Sequence, residues 1–275
     1  MPTVTVEKGA TLHYRDVGSG DPPVVLLHGF PFSSALWDPQ LVALSNDYRI
    51  ISPDLRGFGR SPASAQPYSI AQLADDTASL LDQLGLERAV IAGLSMGGYV
   101  AFEFFRRHPH RVTALILADT RPDPDSREAR DGRAKMAQSA RDAGSAAVTQ
   151  QLMPKLLASG TSANKPQVAE ELRKMMETQD PEAIAAALMA MAERADSRPL
   201  LRTIDVPVLV LGGSEDAITP ATDTREWANA IAGARVEFIE QAGHVSNLEQ
   251  PEAFNKLLLD FLSALPGETT PAGRK

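Results

Sequence analysis

Three short runs in the sequence, VVLL from Val24, ALILA from Ala114 and VLVLG from Val208, are apolar at every position. A strand with one wet face alternates polar and apolar residues. One that is apolar throughout is buried on both faces, as in a parallel sheet covered by helices on either side. Other β-rich runs extend the set, which comprises Thr3–Glu7, Leu12–Val17, Val24–His28, Ile50–Pro53, Ala89–Gly93, Ala114–Ala118, Val206–Gly212 and Val236–Ile239. The first two alternate and are expected to form an edge hairpin.

Helical patterns separate the later strands. Ser69 and Gln72 have capping-box spacing, and Ile70, Leu73, Leu80, Leu81 and Leu84 follow on one stripe. Pro251 suits a first helical position, with Phe254, Leu257, Leu258 and Phe261 on the buried face after it. Strand–helix alternation predicts a doubly wound, mostly parallel eight-stranded α/β sheet, and 275 residues suit one such domain.

One segment breaks the alternation. Between Asp119 and about Ile204 no strand run occurs, a length far beyond an ordinary connection. Helix starts are expected near Asp125, Pro166 and Pro181. The predicted organisation is a core over 1–119, a helical lid over 120–204 inserted between strands 6 and 7, the rest of the core over 205–265, and a disordered tail over 266–275. Six of the eight methionines fall in the inserted segment: Met136, Met153, Met175, Met176, Met189 and Met191. They either offer an adaptable apolar lining or pack the inserted helices on one another.

The bulk properties exclude several functions. A formal net charge of −8 argues against nucleic acid or an anionic membrane as the partner. With no cysteine, neither disulfides nor thiolate chemistry can operate. The N-terminal MPTVTVEKGATLHY alternates and lacks a signal-peptide pattern, and no apolar run is long enough to span a bilayer, so a cytoplasmic location is expected.

The chemistry concentrates in GLSMGG, Gly93–Gly98, at the join between a predicted strand and a predicted helix. A serine there is either a helix N-cap or a nucleophile on a strained turn. In the second case Gly93 and Gly97 are needed because a β-carbon on either would crowd the turn, and Gly98 lets the helix start close to the sheet. Serine needs a base, and the base needs an orienting acid. Of the five histidines, His13 lies in the hairpin and His108 and His110 follow the helix after Ser95, where a dipolar role suits them. His244 instead sits between a predicted strand and helix, where such sheets place ligand chemistry. The acid is expected between Ser95 and His244 in sequence. Asp216 in SEDAITP is the first choice, with Asp119 at the end of LILAD and Glu215 as alternatives.

Five pieces then resemble the α/β-hydrolase superfamily in order and spacing: LLHGFPFSSALW, SPDLRGFGRS, GLSMGG, VLVLGGSEDAITP and QAGHVSNLEQPEAF. They span Val24 to Phe261, nearly the whole chain. The resemblance implies the α/β-hydrolase fold and an oxyanion hole made by the backbone N–H groups of Phe30 and Met96. It also implies a supporting role for His28 and a structural turn at Asp54, Arg56, Gly57 and Gly59. No metal or cofactor is implied.

Serine rather than aspartate at position 95 disfavours the dehalogenase and epoxide hydrolase branches and points to esters, thioesters or lactones. The reading is a carboxylesterase for small to medium acyl groups, with a small-molecule ester or lactone as partner. Two neighbours stay open. Enol-lactonases of the 3-oxoadipate type would require a basic pocket, for which Arg121, Arg127, Arg130 and Arg133 are candidates. Cofactor-free perhydrolases share proline after the oxyanion residue, as at Pro31. A non-enzymatic receptor is a third possibility.

Overall fold

A computed structural model describes residues 1–6, 9–64 and 66–266. Eight strands form one sheet: β1 (Thr3–Thr5), β2 (Thr11–Val17), β3 (Val24–Leu27), β4 (Ile50–Pro53), β5 (Ala89–Leu94), β6 (Val112–Ala118), β7 (Val208–Gly213) and β8 (Arg235–Ile239). Their order is β1-β2-β4-β3-β5-β6-β7-β8. β1 and β2 pair antiparallel, β2 pairs antiparallel with β4, and every later pairing is parallel. The expected extension of the first strand to Glu7 lies outside the described residues, as does the tail beyond Pro266.

The continuous apolar runs divide by parity. Val25, Leu27, Ile91, Leu115, Leu117 and Val210 enter one core, with α2 (Ile70–Gln83) and α3 (Met96–Arg107). Val24, Leu26, Val90, Ala92, Ile116 and Leu211 enter the other, with α1 (Asp38–Leu44) and α10 (Pro251–Ser263). Both faces of β3, β5 and β6 are therefore dry, and burial at about 25 cal/mol per Å² is the main force assembling the sheet. Local signals fix the helix starts. The Gln72 N–H donates to Ser69 Oγ at 3.2 Å, and Pro251 occupies the first turn of α10.

Four α-helices lie between β6 and β7, followed by a 3-10 helix at Arg198–Thr203: α4 (Arg127–Leu156), α5 (Thr161–Asn164), α6 (Pro166–Glu177) and α7 (Pro181–Ala192). Ser126 caps α4 and Asp180 caps α7. α4 is two helices meeting at Gly144, whose φ of 78° a helical residue does not adopt. Of the six methionines here, Met136 and Met191 line the cavity described below, Met153 and Met176 are buried in the second core, Met175 packs half-buried against it, and Met189 is exposed. Two of the six thus take the lining role, because a helix turns only one stripe toward the sheet. Among the described residues, no helix is long and apolar enough to cross a membrane.

Candidate active site

Ser95 occupies the single residue between β5 and α3, with φ 54° and ψ −112°. A positive φ on a non-glycine residue is strained, and the surroundings hold it there. The Ser95 N–H donates to the Ala118 carbonyl at 2.9 Å, and the Thr120 hydroxyl donates to the Ser95 carbonyl at 2.8 Å. A β-carbon on Gly93 would lie 2.1 Å from the Gly97 carbonyl oxygen, and one on Gly97 would lie 2.1 Å from that of Leu27. At Gly98 it would meet the Thr120 side chain at 2.4 Å. Gly97→Ala is therefore expected to cost about 3 kcal/mol or more, since backbone cannot yield as a side chain does. Thermal unfolding would register a fall of roughly 6–12 °C.

Although Ser95 holds the N-cap position, its hydroxyl makes no capping bond. It lies 2.8 Å from Nε2 of His244, in the loop between β8 and α9 (Ser246–Glu249). Nδ1 of His244 lies 2.7 Å from Oδ2 of Asp216, in the loop between β7 and α8 (Ala221–Ala228). Asp216 also accepts from the N–H groups of Ile218 and Thr219, at 2.7 and 2.9 Å, and from the Thr219 hydroxyl. An ionised carboxylate only accepts, so Nδ1 carries the proton and Nε2 offers its lone pair to Ser95.

The electrostatics match this arrangement. Burial pushes the Asp216 carboxyl up, but the charge and hydrogen bond of His244 and the Thr219 donors pull it below its usual range. For His244, burial acts downward, and the charge and hydrogen bond of Asp216 overcome it, leaving the imidazole above its ordinary value.

The competing acids lie elsewhere. Asp119 Oδ1 accepts from the Gly213 N–H at 2.8 Å, and its Oδ2 pairs with the Ser246 hydroxyl at 2.6 Å. Burial, reinforced by the charge of Asp216, pushes Asp119 up to about 8. Glu215 is on the exposed side and accepts from the Ser159 N–H and hydroxyl, at 3.1 and 2.8 Å. Among the other histidines, His28 donates from Nδ1 to the Gly29 carbonyl at 2.8 Å and accepts the Leu55 N–H on Nε2 at 2.9 Å. Burial holds it below the ordinary imidazole value. His108 pairs with Asp75 at 3.0 Å, and His110 is exposed. Asp54 accepts from the N–H groups of Ser34 and Arg60, at 2.7 and 2.9 Å, and Arg56 pairs with Asp76 in the interior.

Phe30, Ser95 and His244 share one cavity of about 280 Å³. Its wall is mainly apolar: Tyr99, Met136, Leu152, Leu156, Leu188, Met191 and Ile218, with Arg133 as the one charged side chain among the described residues that line it. Arg127 and Arg130 are exposed instead. Arg121 is half-buried and close enough to act on the charge of His244. The Met96 N–H is the first of its helix and has no intrahelical acceptor. No acceptor for it, or for the Phe30 N–H, is found among the described residues. Nor is any group of three His, Asp or Glu side chains among them arranged to hold a metal ion. Sequence reasoning missed Tyr99, Leu152, Leu188 and Ile218, which carry no local signal beyond being apolar. It also missed Thr219, three residues after Asp216, where an Asx-type turn was the available clue.

The model of the alpha/beta hydrolase fold matches residues 22–251. 3-Oxoadipate enol-lactonase 2 of Acinetobacter baylyi is 32% identical over 254 residues, covering 92% of this chain and 93% of that protein. A solved thermophilic esterase from Thermogutta terrifontis superposes with a TM-score of 0.93 at 39% identity, covering 96% of this chain and 98% of the other. The enol-lactonase from Burkholderia xenovorans LB400 gives 0.89 at 35%, covering 95% and 100%. The chain belongs to the alpha/beta hydrolase fold family.

Proposed function

We propose that the chain is a serine hydrolase that cleaves carboxylic esters of small to medium acyl groups through an acyl-serine intermediate. The observation that carries this reading is the unbroken hydrogen-bonded line from Asp216 through His244 to Ser95, ending in an apolar cavity. The substrate carbonyl enters beside Ser95, and His244 Nε2 takes the hydroxyl proton as Oγ attacks. The tetrahedral oxyanion is met by the Phe30 and Met96 N–H groups, each such donor being worth about 3–4 kcal/mol of barrier. His244 then protonates the departing alcohol. Water enters and gives its proton to the same nitrogen, and the acid is released. Asp216 fixes the imidazole tautomer and stabilises its charged form. The helices between β6 and β7 act as a lid, a reading supported by the share of the cavity wall that α4 and α7 supply.

The cavity is slightly smaller than sites that enclose drug-sized ligands, about 300–1,000 Å³. Turnover of p-nitrophenyl esters from acetate to palmitate is thus expected to peak at short chains and fade well before palmitate. Inactivity across the whole series would contradict the esterase reading.

Arg133 favours a second reading, a lactonase for an anionic lactone. Its Nε and Nη2 are held by Asp125, while among the described residues Nη1 reaches the Met191 sulfur at 3.5 Å, a weak acceptor. Asp125 is shared with Arg194, so these three side chains carry a net positive charge, of which Arg133 alone reaches the cavity wall. The enol-lactonase relatives support the same reading. Arg133→Met is expected to raise KM at least about tenfold for a carboxylate-bearing lactone, the scale of one charge-assisted hydrogen bond. p-Nitrophenyl acetate should change little. Equal effects on both substrates would remove Arg133 from specificity.

A further inference from the structure

The loop carrying His244 is held by a segment distant in sequence. The end of α4 and the residues after it, 156–161, lie against that loop so closely that a β-carbon on Gly243 would fall 2.6 Å from the Ala158 nitrogen and 2.7 Å from the Leu157 carbonyl carbon. The His244 N–H itself donates to the Leu156 carbonyl at 2.9 Å. One side chain ties the two segments together. Glu249, five residues after His244, is fully buried. Its Oε1 accepts from the Gly243 N–H at 2.6 Å, and its Oε2 accepts from the Ala158 N–H at 2.8 Å and from the Thr161 hydroxyl. Lys165 closes the same junction by donating to the Glu249 carbonyl and, at 3.0 Å, to Gln250 Oε1.

A buried carboxylate is costly, and an apolar side chain would fill the space with less desolvation. What an apolar side chain cannot do is accept from three donors on two loops at once. Those donors flank His244 on one side and the Leu156 carbonyl that holds its backbone on the other. Gly243 and Ala158 lie outside the regular strands and helices, so the carboxylate joins the His244 N–H···Leu156 bond in setting the spacing of the two segments. Leu152 and Leu156, at the end of α4, also line the cavity, so the same junction aligns the cavity wall with the base.

We infer that Glu249 is a positioning residue for catalysis, which locks the His244 loop to the segment after α4 so that Nε2 stays in line with Ser95. This rests on the acyl-serine reading above. It has a consequence that simple bracing of the fold lacks. If the histidine loop drifts, both the Ser95–His244 and His244–Asp216 alignments loosen, and the chemical step suffers before binding does. Misplacement by about 1 Å typically costs on the order of 100-fold in rate.

The test compares wild type, Glu249→Gln and Glu249→Ala on p-nitrophenyl butyrate. The readouts are kcat, KM, the acid limb of kcat/KM against pH, and thermal unfolding. In Glu249→Gln the remaining oxygen keeps one N–H and the new amide faces the other, so it serves if the alanine variant does not fold. The expected result is a 10- to 100-fold fall in kcat in Glu249→Ala and a smaller fall in Glu249→Gln. KM should stay within about threefold. The acid-limb midpoint should move down, because an imidazole that drifts from Asp216 loses the charge that raises it. Variants that melt earlier but keep wild-type kcat and the wild-type midpoint well below their melting temperature would overturn the inference. A wild type silent on every ester is a different failure: it overturns the acyl-serine reading, and the positioning role with it.

Discussion

Replacing Ser95 with alanine is expected to abolish ester turnover, with kcat falling on the order of 10⁶-fold while the fold persists. The hydroxyl makes no capping bond, so its removal takes nothing from α3. The strain of φ 54° is borne by the surrounding backbone bonds, and alanine meets the same cost. Thermal unfolding should stay within a few degrees of wild type. Any residual rate above water would come from the N–H donors and from binding. A Ser95→Ala protein that kept a tenth of wild-type kcat would move the nucleophile elsewhere.

Asp216→Asn is expected to lower kcat about 10⁴-fold, because an amide favours the tautomer that turns a protonated Nε2 toward Ser95. Asp119→Asn is the contrasting variant. Its amide can accept from Gly213 and donate to the Ser246 hydroxyl, and at neutral pH an acid raised to about 8 already carries a proton. Activity should then stay within about tenfold of wild type, since no bond to the imidazole is lost. The pH profile separates the two further. His244 must be neutral to act as base, and its folded value is raised, so kcat/KM climbs with pH through a midpoint above the ordinary 6.5. Removing the Asp216 charge lowers that midpoint and shifts the limb toward acid. Asp119→Asn should move it down less, since the Asp119 charge is a smaller part of what raises His244 than the charge and hydrogen bond of Asp216. If Asp119→Asn caused the larger loss, Asp119 would take the role assigned to Asp216.

Why some of this was legible in the sequence follows from the physics of each element. β3, β5, β6 and β7 are buried on both faces over their central runs, so those runs are continuously apolar, and the parity split sends alternate residues into two cores. The starts of α6, α7 and α10 were marked by Pro166, Pro181 and Pro251. Gly93 and Gly97 carried the strand-to-helix turn because nothing larger fits, which makes the local motif specific.

The cavity wall was less accessible. Which stripe of α4 faces the site depends on how α4 docks, so Arg133 could not be told from Arg127 and Arg130 by spacing alone. The break at Gly144 was also hidden, since a lone glycine inside a helical pattern has several uses. Asp119 and Glu249 were visible as carboxylates, yet donors that face them come from as far as 127 and 91 residues away. Long-range pairing of that kind leaves no local trace.

The most direct measurement is stoichiometric labelling with a p-nitrophenyl alkylphosphonate, followed by peptide mass spectrometry. The reagent phosphonylates an activated serine, Oγ forming a bond to phosphorus as p-nitrophenolate leaves, and then stays, because the phosphonate ester resists hydrolysis. The account predicts one adduct per chain, on Ser95, released p-nitrophenolate in equal amount, and a labelling rate that rises with pH along the acid limb of His244. A protein that turns over esters yet carries no adduct, or carries it on another residue, would contradict the account.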